Sequence, residues 1–147
     1  MNVLESFSLK GKVALVTGGA GLYGRQIVEA LAEAGAETYI ASRNLESLQQ
    51  VAKEEVERGY NVTAMQLDLS QDESIEKLHS DIITKSGKCD ILINNAVSRE
   101  FGSAGWKNTL DDFDKSLRIN ASALFKITEM FAEDMKKNNS GSIINIG

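Results

Sequence analysis

Val13-Ala14-Leu15-Val16-Thr17-Gly18-Gly19-Ala20-Gly21-Leu22-Tyr23-Gly24-Arg25 is the stretch on which the fold turns. The apolar run Val13 to Val16 has the composition of a buried parallel strand. Glycines 18, 19, 21 and 24 follow, and Ile27, Val28, Leu31 and Ala34 then recur at helical spacing. The glycines therefore sit between a strand and a helix, and Gly19, Gly21 and Gly24 keep the G-x-G-x-x-G interval. Without side chains the backbone can turn tightly there and come close to a pyrophosphate. The free N–H groups of the helix and the positive end of its dipole then face the anion. The stretch reads as a dinucleotide-phosphate site; the alternative is a plain glycine-rich turn between a strand and a helix.

Working outward, residues 1–11 form a polar lead-in to a strand at 12–17, and the helix at 23–34 stops at Gly35. Thr38 to Ala41 is a second strand. Leu45, Leu48, Val51, Ala52 and Val56 mark an amphipathic helix closed by Gly59. Val62 to Leu67 is a third strand. Ser70 is predicted to cap the next helix, with Glu73 completing a capping box; Ile75, Leu78 and Ile82 form its apolar face and Gly87 ends it. Ile91 to Ile93 is a fourth strand, followed by a glycine-containing loop at 98–108. Thr109 caps a long helix, 109–137, carrying Phe113, Leu117, Leu124, Phe125, Phe131 and Met135. Residues 142–146 make a fifth strand.

Alternating strands and helices imply an α/β fold: a doubly wound parallel sheet, order 3-2-1-4-5, with helices on both faces. Its ligand crevice lies outside the carboxyl ends of strands one and four, where the order reverses. With no repeat, low-complexity tract or linker, residues 1–147 are expected to be one domain. No helix follows the last strand to cover it, so the chain is expected to be the N-terminal part of a longer one.

The chain has 147 residues, 42% of them hydrophobic and 25% charged, with a net charge of −5. That composition is ordinary for a globular domain with a core. An acidic chain without a basic run argues against nucleic acid or an anionic membrane as partner. A single cysteine, Cys89, excludes an internal disulfide. No leader peptide is expected, and no run reaches the ~18 apolar residues that a membrane helix requires. The expected compartment is the cytoplasm.

Several residues fall where chemistry is expected. Ser42 and Arg43 follow the second strand, about 20 residues past the glycines, where a carboxylate would bind the ribose 2′-hydroxyl of NAD and an arginine accommodates the 2′-phosphate of NADP. The pair favours NADP over NAD. Asp68, ending strand three, faces the same crevice and can accept a hydrogen bond from an adenine amino group, or it is a turn aspartate. Asn94, Asn95 and Ala96 end strand four beside the glycine loop; the two amides can hold that loop and meet a ribose, or simply end the strand. Asn120 lies on the apolar face of the long helix among Leu117, Leu124 and Phe125, so it is either a structural hydrogen bond or a site residue. His79 stands far from the crevice without companions, and no cluster has metal-ligand spacing, so no metal is expected. Cys89 lacks a paired base. Trp106 can cover a substrate, although packing is the commoner use of a lone tryptophan.

Taken together, Lys12-Val13-Ala14-Leu15-Val16-Thr17-Gly18 with Gly24, Asp68-Leu69, Asn94-Asn95-Ala96, Asn120 and Gly141-Ser142-Ile143-Ile144-Asn145-Ile146 resemble the short-chain dehydrogenase/reductase family over the whole chain. The resemblance implies a Rossmann-type sheet and an NAD(P)-dependent oxidoreductase that moves hydride between nicotinamide and a carbonyl/alcohol pair. By resemblance, Gly18, Gly21, Leu22, Tyr23 and Gly24 line the pyrophosphate loop. Ser42 and Arg43 meet the adenosine ribose, Asp68 and Leu69 bracket adenine, and Asn95 and Ala96 contact the nicotinamide-side ribose. Asn120 becomes the helix-breaking asparagine of a catalytic tetrad, ordering a water in the proton relay. The family also implies a homo-oligomer paired through helix 109–137.

Three departures stand out. Leu22 replaces the middle glycine, giving a spacing like that of extended-branch epimerases and dehydratases. Val97 stands where glycine is usual. The family's serine would fall just after Gly147 and its Tyr-x-x-x-Lys about a dozen residues later, and Tyr23, Tyr39 and Tyr60 have no lysine four positions on. The 147-residue chain alone is therefore expected to be inactive. The alternatives are a non-catalytic nucleotide-binding module or remnant, or an extended-branch sugar-nucleotide enzyme.

Overall fold

In the computed structural model, which describes residues 1–99, 101 and 105–147, β1 (Val13–Thr17) is buried along its whole length. Its alternating side chains found two cores, one on each face of the sheet, as the two-residue period of a strand requires. Val13 and Leu15 point to one side with Tyr39, Ala41, Met65 and Leu92, and Val16 to the other with Ile40, Val62 and Ile93.

The chain runs α1 (Val3–Ser6), β1, α2 (Leu22–Glu33), β2 (Glu37–Ser42), α3 (Leu45–Glu57), β3 (Val62–Gln66), α4 (Asp72–Ser86) and β4 (Ile91–Asn94). A short 3-10 turn (Gly105–Lys107), α5 (Leu110–Leu117), a π-turn (Arg118–Ser122), α6 (Ala123–Lys137) and β5 (Ser142–Asn145) follow. The sheet order is β3-β2-β1-β4-β5, with every pairing parallel. α2 and α3 cover one face through Val28, Ala32, Leu48 and Val51. α4 and α6 cover the other through Ile75, Leu78, Ile82, Ile127 and Phe131. This is the doubly wound, Rossmann-type arrangement expected from the sequence. No helix among the described residues is long and apolar enough to cross a membrane.

The differences from expectation are local. The lead-in contains α1, held by an Asn2–Glu5 capping box. Ser70 caps nothing: α4 starts at Asp72 with Gln71 at its N-cap and no side-chain cap. Asp68, two residues before Ser70, takes both the Ser70 N–H and its hydroxyl in a tight local turn. The expected helix 109–137 is interrupted. Thr109 and Asp112 form the capping box that starts it, but at Arg118–Ser122 the ladder widens, and Ala123 N–H reaches back to Arg118 C=O. The widened turn redirects the apolar face, so Ala123, Ile127, Phe131 and Met135 are buried while Phe113, Leu117 and Phe125 are exposed. Trp106 stands fully exposed. Positions 100 and 102–104 of the loop expected at 98–108, Gly102 among them, lie outside the described residues.

Candidate functional site

Thr17, the last residue of β1, is 2% exposed and joins the two halves of the site. Its hydroxyl oxygen accepts from the backbone N–H of Asn95 at 3.1 Å and of Ala96 at 3.0 Å, just past the end of β4. The same two strand ends are bound again by Asn95, whose Nδ2 donates to Gly18 C=O at 3.2 Å. Asn95 thus holds the glycine loop, as expected. Asn94 does not: its side chain leaves the sheet on the other face and donates to Thr128 and Asn145, tying α6 and β5 to β4. Adjacent strand residues face opposite ways, so only one of the pair can reach the loop.

Gly18 turns with φ +70°, a left-handed conformation that glycine adopts without strain. Its carbonyl accepts from Gly21 N–H at 3.1 Å, closing the loop. α2 then begins with Gly21 at the N-cap and no side-chain cap. The N–H groups of its first turn, and the positive end of the helix, are left for an outside acceptor. Gly24 lies one turn in, so close to the loop that a Cβ there would sit 2.1 Å from Gly18 O.

These elements border a cleft of about 840 Å³ outside the carboxyl ends of the strands, a volume typical of small-molecule and cofactor sites. On the loop side it is lined by Gly18, Gly21, Leu22 and Tyr23. On the β2 and β3 side it is lined by Ser42, Arg43, Asp68 and Leu69, and on the β4 side by Asn95 and Ala96. Two expected residues stand behind the wall. Gly24 packs under the loop. Asn120, half-buried in the π-turn, grips the backbone of Ser98: its Oδ1 accepts from Ser98 N–H at 2.8 Å and its Nδ2 donates to Ser98 C=O at 2.9 Å.

Asp68 works twice. Its Oδ1 accepts from Ser70, and those bonds together with the nearby Arg43 hold its carboxyl below the usual range, against the opposing effect of burial. Among the described residues its Oδ2 takes no hydrogen bond. Cys89, by contrast, is buried at the opposite end of β4, and burial pushes its thiol up to about 12, which leaves it a packing residue. His79 is half-buried between α4 and α6, where it pairs with Asp134 and meets the edge of Phe131.

Sequence reasoning missed Thr17 as the bridge, and Ser98, Arg99 and Ile119 as lining. Thr17 carried a signal, being a polar residue closing an apolar run. Ser98 and Arg99 lie a few residues past a strand end that faces the crevice. Ile119 carried none, because its exposure to the cleft depends on the π-turn.

A family model described as short chain dehydrogenase matches residues 12–147. The chain is 35% identical to the short chain dehydrogenase/reductase dpchG of Colletotrichum higginsianum, over 97% of this chain and 54% of that one. It is 34% identical to the 2-dehydro-3-deoxy-D-gluconate 5-dehydrogenase of Bacillus subtilis, over 97% of this chain and 55% of that one. Among solved structures, a metagenomic short-chain oxidoreductase in complex with NADP superposes with a TM-score of 0.89 at 31% identity, covering 95% of this chain and 63% of that one. The chain spans about half the length of the curated relatives it matches.

Proposed function

Because this chain belongs to the short-chain dehydrogenase family, we propose that it is the cofactor-binding part of an NADP-preferring oxidoreductase acting on a small carbonyl or alcohol substrate. The observation that carries the reading is the uncapped first turn of α2, opening onto the cleft beside a loop that Gly18 and Gly24 keep free of side chains. That cradle suits a pyrophosphate: backbone donors, a helix dipole and no steric obstacle. When bound, a nicotinamide dinucleotide supplies a hydride acceptor or donor.

The chain's own residues divide the work. Gly18, Gly21, Leu22, Tyr23 and Gly24 form the phosphate cradle. Ser42 and Arg43 hold the adenosine ribose and its 2′-phosphate. Asp68 offers its open oxygen to the adenine amino group, with Leu69 against the ring. Asn95 and Ala96 meet the ribose on the nicotinamide side. Asn120 fixes Ser98 at that end, and the family's proton relay gives it the further role of ordering a water. Residues 1–147 alone are expected to bind cofactor without turning over substrate, the serine and the tyrosine–lysine pair of the family mechanism being expected beyond them. We place the protein in the cytoplasm.

Arg43 supplies the test. Arg43→Ala is expected to weaken NADPH about tenfold or more, the value of a charge-assisted bond to phosphate, and to leave NADH within about twofold. Fluorescence titration of both cofactors reads this directly. Equal losses, or none, would remove Arg43 as the selector. Such a result would favour a module that binds nucleotide without discrimination.

The exposed Leu110, Phe113, Leu117 and Phe125 leave an apolar surface along α5 and the start of α6. Exposed apolar side chains of that kind suit a second copy of the protein. Sedimentation at micromolar concentration is expected to show a dimer or larger species that Phe113→Asp/Phe125→Asp converts to monomer. A wild-type protein that sediments as a clean monomer would refute the pairing.

A further inference from the structure

We propose that the β4 side of the cleft recognises an oxyanion, a carboxylate or a phosphate, borne by the carbonyl or alcohol substrate, and that Arg99 receives it. The inference rests on the cofactor reading above and adds the chemical class of the substrate. Among the described residues Arg43, Arg99 and Asp68 supply the charged side chains of the cleft wall, and they are not equivalent. Arg43, at the end of β2, is close enough to Asp68 to help lower its pKa, so charge on that side is matched. Arg99 follows β4, across the crossover, and no carboxylate lines the wall there among the described residues.

The other arginines emphasise the contrast. Arg25 pairs with Glu54, Arg58 with Glu29, Glu33 and Glu55, and Arg118 with Asp72. In a chain of net charge −5, carboxylates are plentiful, yet Arg99 makes no hydrogen bond or ion pair with any described residue. Its backbone is nevertheless anchored. The preceding residue, Ser98, is held at both its N–H and C=O by Asn120, and Ile119 of the π-turn lines the cleft alongside. An unmatched guanidinium carried on anchored backbone at the wall of a cleft is a receptor for a planar pair of oxygens. The doubly wound topology puts this side away from the adenosine residues, where the reacting end of a dinucleotide and its substrate meet.

The test uses the whole protein saturated with NADP+ and three probes that share a six-carbon polyol frame: D-sorbitol, D-gluconate and D-sorbitol 6-phosphate. Binding is followed by NMR line shifts. One or both anions are expected to bind about tenfold more tightly than sorbitol, the scale of a hydrogen bond to a charged partner. The preferred anion identifies carboxylate or phosphate. Arg99→Gln is expected to erase the preference and leave NADP+ affinity within about twofold, while Arg99→Lys keeps part of it. Equal affinity for all three probes overturns the proposal. So does a preference that survives Arg99→Gln, or a loss in that variant that falls on NADP+ instead. If NADP+ itself fails to bind the wild-type protein, the cofactor reading is what falls. The probes are then titrated without it, and their ranking still decides the case for Arg99.

Discussion

Gly24→Ala is expected to abolish cofactor binding, lowering NADPH affinity by at least about 100-fold, roughly 2.8 kcal/mol. The added methyl would lie 2.1 Å from Gly18 O, 2.9 Å from Gly18 C and 2.9 Å from Gly19 Cα. All three are backbone atoms, so no rotamer change can make room. The N-terminus of α2 must then withdraw from the loop, and the donors it presents to the cleft leave with it. Gly21→Ala is the control. There an added methyl meets only Gly18 O, at 3.4 Å, an ordinary contact. It is expected to bind within about threefold of wild type, since a cap position tolerates alanine at about 1 kcal/mol or less. Thermal unfolding accompanies the titrations, because the Gly24 variant should also melt earlier. If Gly24→Ala bound NADPH as wild type does, the close approach of α2 to the loop would not matter for binding.

Thr17→Val is expected to cost about 2–4 kcal/mol of stability, although valine nearly matches threonine in shape. The loss is chemical. The backbone N–H groups of Asn95 and Ala96 both depend on the Thr17 oxygen, and a donor left unpaired in a largely buried site costs roughly 1–3 kcal/mol. Thr17→Ser keeps the oxygen and deletes one methyl, so it should lose only about 1 kcal/mol. Urea unfolding of the three proteins measures the difference as a shift in midpoint at constant slope. Equal midpoints for the valine variant and wild type would mean that water satisfies the two N–H groups equally well.

Period and punctuation made most of the fold legible. The strands announced themselves as apolar runs, and Gly35, Gly59 and Gly87 each sit with positive φ past a helix end, where a side chain would be strained. The cleft was legible because strand ends in a doubly wound sheet must surround it, which is why residues as far apart as Ser42, Asp68 and Asn95 were expected together. The misreadings share one cause: they concern choices among neighbours that sequence makes equivalent. Asn94 and Asn95 differ only in which face of β4 they leave. Ser70 prefers the nearer Asp68 to the start of α4. Gly21 and Gly24 look alike in the motif, but only Gly24 lies under a carbonyl. The π-turn left no trace, because the apolar spacing continues through it, and so the exposure of Phe125 could not be seen.

The order β3-β2-β1-β4-β5 also has a kinetic meaning. β1, β2 and β3 are made in succession and can pair outward from β1 as they emerge, each through one crossover. The partner on the other side of β1 arrives much later: the hydrogen bonds from Asn95 and Ala96 to Thr17 span 78 and 79 residues of sequence. Long-range closures of this kind are slow steps in folding, and chains fold from their N-termini during synthesis. The cleft straddles that seam, so it does not exist until β4 has docked. A ligand that occupies it holds together the two sections of the chain that meet last, and by mass action it should slow their separation first.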